Sequence, residues 1–510
     1  MPVVASWSLG ACTDVLERGS DEDRSSVRSY SRRPSDSATS PDDVLFQMTP
    51  EAMRQLPQLG DVRSHSLASG TTITVIADDL TGANDSGLQF ATRGLPAVVC
   101  LGDPSVAYLD GAAVVVVDTE TRALDPDAIP ALLIRLIDCL PAAGTGGPVY
   151  KKIDSTMRGH VGLEIAVLAR AVGAATVFMT PAYPAMQRTV EEGRLLVGGV
   201  PVDRTVFARD PACPVGDARV ARLLAPHMPD FAIIEVSVDA LSEPSALAAR
   251  LADVQATHGR ICAVFDAKAA DDLARVARFG VRWAEDSGRR VLWAGSAGLA
   301  AQLPAAWGIA GPPAVLPQLT PAARPPLVAV GSVNPVSIGQ LQALVDGSAV
   351  EPVVLSPERL LDPNEQAREI GRCLAALERQ IAAGNALLVL TTAHQRADVE
   401  RSLVLAKQRG LTRWEAGRQI ARGMAACTEG LLARGLVDRL VTTGGDTSRA
   451  VMDLAGIDAV SIEGALAQGI PVVKTSCAPV RHIVTKAGGF GAPDALMRAV
   501  AFLTLGRLDP

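Results

Sequence analysis

Aromatic side chains make up only 4% of this 510-residue chain, so Ala, Val and Leu have to do most of the packing. Its eight cysteines are scattered, with no Cys-x-x-Cys and no Cys/His ligand spacing. That argues against a disulfide framework or zinc module and fits free buried thiols in a reducing cytosol. Basic charge is not in excess: the formal net charge is −7, which leaves no electrostatic footprint for nucleic acid or anionic membranes. No window approaches about 18 uninterrupted apolar residues, so no membrane span is expected. There is no Gly-x4-Gly-Lys-Ser/Thr, which excludes the P-loop mechanism. No Gly-x-Gly-x-x-Gly falls between strand and helix, which argues against a standard dinucleotide fold. No internal repeat of fixed period is apparent.

Apolar residues, by contrast, make up 48% of the chain, and its length exceeds what one core usually serves, which predicts two domains. The start is different in kind. Gly19 to Asp43 is crowded with Ser, Arg, Asp and Pro and lacks apolar periodicity, so it cannot bury enough surface to offset its ordering entropy. Without an apolar h-region it does not read as a secretory signal. Residues 1–70 are read as a disordered extension, with an over-long translation start (Met48 and Met53 lie downstream) and a regulatory tail as competing accounts. From Thr71, short runs rich in β-branched residues alternate with helix-length segments such as Gly162–Ala171 and Ala267–Asp286. The runs are Ile73–Ala77, Ala97–Leu101, Ala113–Val117, Val149–Ile153, Thr176–Met179, Ala232–Val236, Ile261–Phe265 and Val291–Ala294. Leu303 to Pro326 then holds seven prolines, the mark of a stiff connection. Alternation resumes at Leu327–Val330, Val353–Leu355, Ala386–Leu390, Arg439–Thr442 and Val472–Lys474, with a long helix at Arg413–Arg434. The expected fold is α/β: one domain at 71–305, a linker at 306–326 and a second domain at 327–510. Each domain is expected to be a mostly parallel sheet flanked by helices.

Chemistry gathers where strands end. Val75-Ile-Ala-Asp-Asp-Leu-Thr-Gly-Ala-Asn84 stops a buried run at Asp78 and Asp79 and opens a helix, the junction at which α/β proteins bind ligands. Asp and Thr are ordinary N-caps, but two adjacent acids exceed what capping needs. Asp118-Thr-Glu-Thr-Arg122 repeats the design, and Arg122 could fork onto a substrate carboxylate or form a surface ion pair. The densest cluster, Tyr150-Lys-Lys-Ile-Asp-Ser-Thr-Met-Arg-Gly159, offers Lys151 or Lys152, Asp154, Ser155, Thr156 and Arg158. Such groups suit a carboxylate bearing several hydroxyls, and strand alternation puts Lys152 and Asp154 on one side. Thr180-Pro-Ala-Tyr-Pro184, with Arg188 and Thr189, reads as a rigid loop beside it. In the second domain Gly331-Ser332, Gly444-Gly-Asp-Thr447 and Lys486-Ala-Gly-Gly-Phe-Gly491 are glycine-rich strand ends. Backbone amides there can approach phosphates closely.

From Thr71 to Leu505 the chain resembles the four-carbon acid sugar kinase family. The shared motifs are Ile76-Ala-Asp-Asp-Leu-Thr-Gly-Ala83, Lys152-Ile-Asp-Ser-Thr-Met-Arg-Gly159, Gly331-Ser332, Gly444-Gly-Asp-Thr447 and Lys486-Ala-Gly-Gly-Phe-Gly491. The resemblance implies an amino-terminal domain for an acid sugar and a carboxy-terminal domain for ATP. Members phosphorylate D-threonate, D-erythronate or 3-oxo-tetronate, generally on the terminal hydroxyl. Phe207-Ala-Arg-Asp-Pro-Ala-Cys-Pro-Val215 is more similar to the threonate kinases. Asp78 or Asp79, Arg122, Lys152, Asp154 and Ser155 would then contact the acid sugar. Ser332, Gly444, Gly445, Asp446, Thr447 and Gly488 would contact the nucleotide. No function attaches to Asn334 or Gly489.

Phosphoryl transfer needs positioning and charge neutralisation more than covalent help, so Mg²⁺ is expected on the ATP phosphates. Asp79, Asp154 and Asp446 are the candidates to accept the hydroxyl proton, and Asp446 is alternatively a magnesium ligand. The expected setting is the cytoplasm, with no nucleic-acid or membrane partner and a homo-oligomer left open. The rival readings are an inactive sugar-acid sensor, which needs no triphosphate cradle, and a dehydrogenase, which lacks its fingerprint.

Overall fold

Short runs such as Ile73–Ala77, Val114–Asp118 and Ile261–Phe265 are buried at every position, as strands covered on both faces of a parallel sheet must be. The computed structural model describes residues 71–508 apart from 105–108, 110, 141–146, 211, 310, 313–314 and 393–395. The extension expected at 1–70 lies outside the described residues. The first half contributes β1 (Ile73–Ala77), β2 (Ala97–Cys100), β3 (Val114–Asp118), β4 (Val149–Lys152) and β5 (Thr176–Thr180). A small antiparallel sheet follows, made of β6 (Arg188–Glu191), β7 (Arg194–Val197) and β8 (Val200–Pro201). Then come β9 (Ala232–Val236), β10 (Ile261–Phe265) and β11 (Val291–Gly295). The second half supplies β12 (Leu327–Val330), β13 (Val353–Val354), β14 (Leu388–Thr391), β15 (Arg439–Thr443), β16 (Ala459–Ala467), β17 (Ile470–Thr475) and β18 (His482–Lys486).

These strands form one sheet in the order β13-β14-β12-β15-β18-β17-β16-β2-β3-β1-β4-β11-β5-β10-β9. Within each half the pairing is parallel from β2 to β9 and from β13 to β18. The join is different: β16 runs antiparallel to both β2 and β17, and β17 antiparallel to β18. The two expected sheets are thus fused by a hairpin. Alternation splits the apolar residues between faces. Val75 and Ala77 enter a core shared with Leu327, Leu440, Val460 and Val473 of the second half. Ile76 instead joins Val115, Val117 and Val177 on the other face. The few aromatics are concentrated rather than spread: Phe178 contacts Phe265, Phe279, Trp283 and Trp293. The proline-rich stretch is tied to the last helix, Ala495–Leu505, by Leu319 and Ala322 amides donating to Gly506 and Thr504 carbonyls at 2.9 Å.

Candidate active site

Parallel strands place their carboxyl ends along one edge, and there the loops after β1, β3 and β4 meet. Asp79 caps the helix Leu80–Ala91 through Oδ1, which accepts from the Gly82 amide at 2.8 Å. Its other oxygen accepts from Arg122 Nη1 at 2.7 Å, while Arg122 Nε donates to Asp78 Oδ2 at 2.8 Å. One arginine therefore clamps the acid pair, and its remaining Nη2 lies 3.9 Å from Asp154. Burial alone would raise Asp78, but Arg122 and Lys151 outweigh it and hold the carboxyl below its ordinary value. Asp78 Oδ1 is buried without a hydrogen-bond partner.

Asp154 is gripped harder. Arg158 forks onto it at 2.9 and 3.0 Å, and the Thr156 hydroxyl and amide donate to it as well. Against burial, Arg158 and Arg122 keep it well below the carboxylate range. The expected contact residue Ser155 sits half-buried in the turn, and its neighbour Thr156 is the residue bonded to Asp154. Phe207, Asp210 and Cys213 lie against both arginines. Arg158 lies 5.3 Å from the Phe207 ring centre and 3.3 Å from Asp210, and Cys213 Sγ donates to the Arg122 carbonyl at 3.1 Å.

In the second half, three strand-end loops interlock. A Cβ on Gly331 would fall 2.0 Å from Thr447 Oγ1, one on Gly488 would fall 2.3 Å from Ser332 Oγ, and one on Gly444 would lie 3.5 Å from Ser332. Gly444, at φ +95°, also needs a backbone that side chains resist. Ser332, Gly444, Gly445, Thr447 and Gly488 are therefore brought together. Lys486 organises them from beneath, its ammonium donating to the Ser337 hydroxyl and to the carbonyls of Ala487, Gly488 and Phe490 at 2.9–3.2 Å. Burial draws that amine down to about 8. Asn334 only caps the helix Pro335–Ser348, through Val336.

The two groups of loops face each other. A Cβ on Gly445 would lie 2.8 Å from Thr81 Oγ1, Asn84 Nδ2 donates to Thr485 Oγ1 at 3.1 Å, and Arg449 reaches Asp118 at 2.7 Å. A cleft lies between them, bordered by Thr81, Asn84, Asp85, Gly445, Ser448 and Thr485. Asp446 stands exposed in the first turn of the helix Gly445–Leu454, its carboxyl raised by partial desolvation and then by the charge of Asp79. Residues that sequence reading missed are here too. Glu120 is pushed to about 9 by burial and by Asp118, and burial lifts Asp85 to about 6. Lys486 could have been found, since it ends a strand just before glycines. Nothing local marks Arg449.

Residues 73–303 match the model of a sugar-binding N-terminal domain and residues 327–496 that of a nucleotide-binding C-terminal domain. The chain is 28% identical over 434 residues to a D-threonate kinase of Salmonella typhimurium, covering 84% of this chain and 97% of the relative. It is 31% identical over 439 residues to a 3-oxo-tetronate kinase of Methylobacterium radiotolerans, covering 83% and 97%. A solved Haemophilus influenzae protein shares the fold with a TM-score of 0.63 at 23% identity, over 84% of this chain and all of its own length. Fold, site and relatives together define an enzyme, a small-molecule kinase that uses an alcohol group as acceptor. The chain belongs to the four-carbon acid sugar kinase family. Among the described residues, no helix is long and apolar enough to cross a membrane.

Proposed function

We propose that this kinase transfers the γ-phosphoryl group of ATP to the terminal (C4) hydroxyl of a four-carbon sugar acid, D-threonate first among them. The observation that carries this reading is the meeting of an arginine-clamped acid cluster with a glycine-rich helix start across one cleft. The first half would hold the acid sugar through Asp79, Lys152 and Asp154, and the second half would hold ATP through Ser332, Gly444, Gly445, Thr447 and Gly488. D-threonate is favoured because Phe207–Val215, the segment similar to threonate kinases, touches both Arg122 and Arg158.

Of the three candidate bases, Asp154 is too strongly paired to take a proton readily. Asp446, in the first turn of the helix that starts at the glycine loop, has raised proton affinity, and a base acts best near the working pH. It is assigned to the hydroxyl proton. Among the described residues no group of three acids, histidines or cysteines could hold a metal alone. That fits magnesium brought in on phosphates, since this ion takes one or two carboxylates and keeps waters. Asp79, whose charge acts on Asp446, would supply such a ligand, and the ion would neutralise charge on the phosphoryl group in transfer. The cytoplasm is the setting such a reaction suits.

An ATP-to-ADP assay against D-threonate, D-erythronate, 3-oxo-tetronate and a polyol control tests the reading, with the phosphorylated carbon located by NMR. D-threonate should give the highest kcat/KM and a 4-phosphate. Asp446→Asn should lower kcat by about 10²–10⁴-fold, while Asp154→Asn should act mainly on KM. Turnover of none of the acids, or phosphorylation at C2 or C3, would overturn it.

A further inference from the structure

The acid-sugar end of the cleft presents three arginines, and two are already engaged. Arg122 is committed to Asp78 and Asp79, and Arg158 to Asp154 and Asp210. Arg188 is not. Its guanidinium donates through Nη1 to the Met186 carbonyl, its Nε is buried without an acceptor, and among the described residues no carboxylate lies within ion-pair distance. Yet it stands near the same place: its backbone partner Tyr183 is bonded to Gln468, the neighbour of Gly469 on the cleft wall, and the charges of Asp154 and Arg158 act on it.

The chain goes to some length to hold it there. Arg188 opens β6 straight after the turn Pro184–Met186, and its backbone is locked to Tyr183 by a reciprocal pair of hydrogen bonds at 2.8 and 3.1 Å. The Tyr183 hydroxyl in turn accepts from Gln468 of the second half at 2.7 Å. Each of the three arginines also follows closely on a non-glycine residue at positive φ: Glu120 at 51°, Met157 at 63° and Gln187 at 58°. Backbone of that kind persists where surrounding structure enforces it, and it gathers at ligand sites. A guanidinium cannot shed its proton, so a half-buried one without an anion carries an uncompensated desolvation cost. A carboxylate from outside would supply the missing partner.

We propose that Arg188 is the residue that receives the substrate carboxylate, with Arg122 and Arg158 acting as positioning residues that hold the chain's own aspartates around the hydroxyls. The proposal rests on the kinase reading above. Lys152 is the rival anchor, since it too has no carboxylate within ion-pair distance among the described residues and donates to the Ile153 carbonyl at 2.8 Å. A planar fork fits a carboxylate better than a point charge does.

The test compares D-threonate with its uncharged amide as acceptors for wild type, Arg188→Ala and Arg188→Lys, with melting curves for each. Wild type should prefer the acid. Arg188→Ala should raise KM for the acid by about 10- to 100-fold, leave KM for ATP within about twofold, and bring the acid-to-amide preference close to one. Arg188→Lys should keep part of that preference. Where Arg188→Ala fails to fold, Arg188→Gln takes its place, removing the charge while keeping a donor for Met186. A folded, uncharged variant that still prefers the acid overturns the proposal and leaves the kinase reading standing. Equal rises in both KM values overturn it in favour of a structural role. A wild type that phosphorylates neither this acid nor any other four-carbon acid overturns both.

Discussion

Two adjacent lysines show how one residue's position on a strand decides its work. Neighbouring strand residues point to opposite faces. Lys151 therefore turns away from the cleft to Glu164, 2.6 Å distant and out of hydrogen-bond alignment, with both side chains 1% exposed. Glu164 also accepts from Thr121 at 3.0 Å, so the pair fastens the arginine-bearing loop to the helix Val161–Ala171. Lys152 ends at the cleft edge beside Gly82. Removing one partner of a buried pair leaves an uncompensated charge costing about 3–5 kcal/mol. Lys151→Ala should accordingly lower the melting temperature markedly, whereas Lys152→Ala should melt near wild type and raise KM for the acid sugar. Equal melting temperatures would deny this division. The sequence shows both lysines and predicts which shares a side with Asp154, but the partner that makes Lys151 structural lies in a later helix and no spacing announces it. Arg122 carries the same lesson: its residue type was readable as an anion binder, but its partners, Asp78 and Asp79, came from another strand end.

At the level of elements, legibility followed burial. Strands buried at every position were readable almost to the residue, because a continuous β-branched run bounded by polar residues has few other readings. β16 was not. Its burial alternates from Val460 onward, but Gly464 holds a buried position and Ala465 and Ala467 outward ones, so the sequence shows little apolar–polar contrast, and register shifts follow Ile462 and Ala465. The glycine loops do follow strand ends, and at one of them the packing itself requires a glycine. A side chain at Gly445 would first meet Thr81 of the opposing half, 2.8 Å away. Gly445→Ala should therefore impair activity through that contact, and adding Thr81→Ala should restore part of it. A double-mutant cycle should return a coupling of about 0.5–3 kcal/mol, the range for residues in contact. A purely additive result would mean that Thr81 is not what the glycine makes room for.

The whole molecule explains how two halves with opposed strand directions bring their working ends together. Passing from β1 to β15 crosses six pairings, each twisting by about 20–25°. The antiparallel hairpin reverses the strand direction, and the accumulated rotation, roughly 120–150°, largely reverses it back. Carboxyl ends of both halves then face one cleft, an outcome invisible to local sequence because it depends on the order of strands. Among the described residues, an ion pair links the two halves. Arg449, on the helix that begins at Gly445, donates to the fully buried Asp118 at 2.7 Å and to the Leu101 carbonyl at 3.0 Å. Asp118 in turn accepts from the Glu120 amide, within the loop that carries Arg122. A nucleotide at the helix start and an acid sugar beside the aspartates that Arg122 holds would both act on this connection, and such coupling is reciprocal. In wild type, the acid sugar should tighten nucleotide binding and the nucleotide should tighten acid-sugar binding by the same factor. Arg449→Ala should shrink both factors together, with each single-ligand affinity changed less than about threefold, well below the roughly 5- to 150-fold span of typical couplings. Calorimetric titration of each ligand with and without the other measures all four constants. If Arg449→Ala weakened the nucleotide equally in the presence and absence of acid sugar, the ion pair would serve only the nucleotide half, and the two sites would communicate by another route.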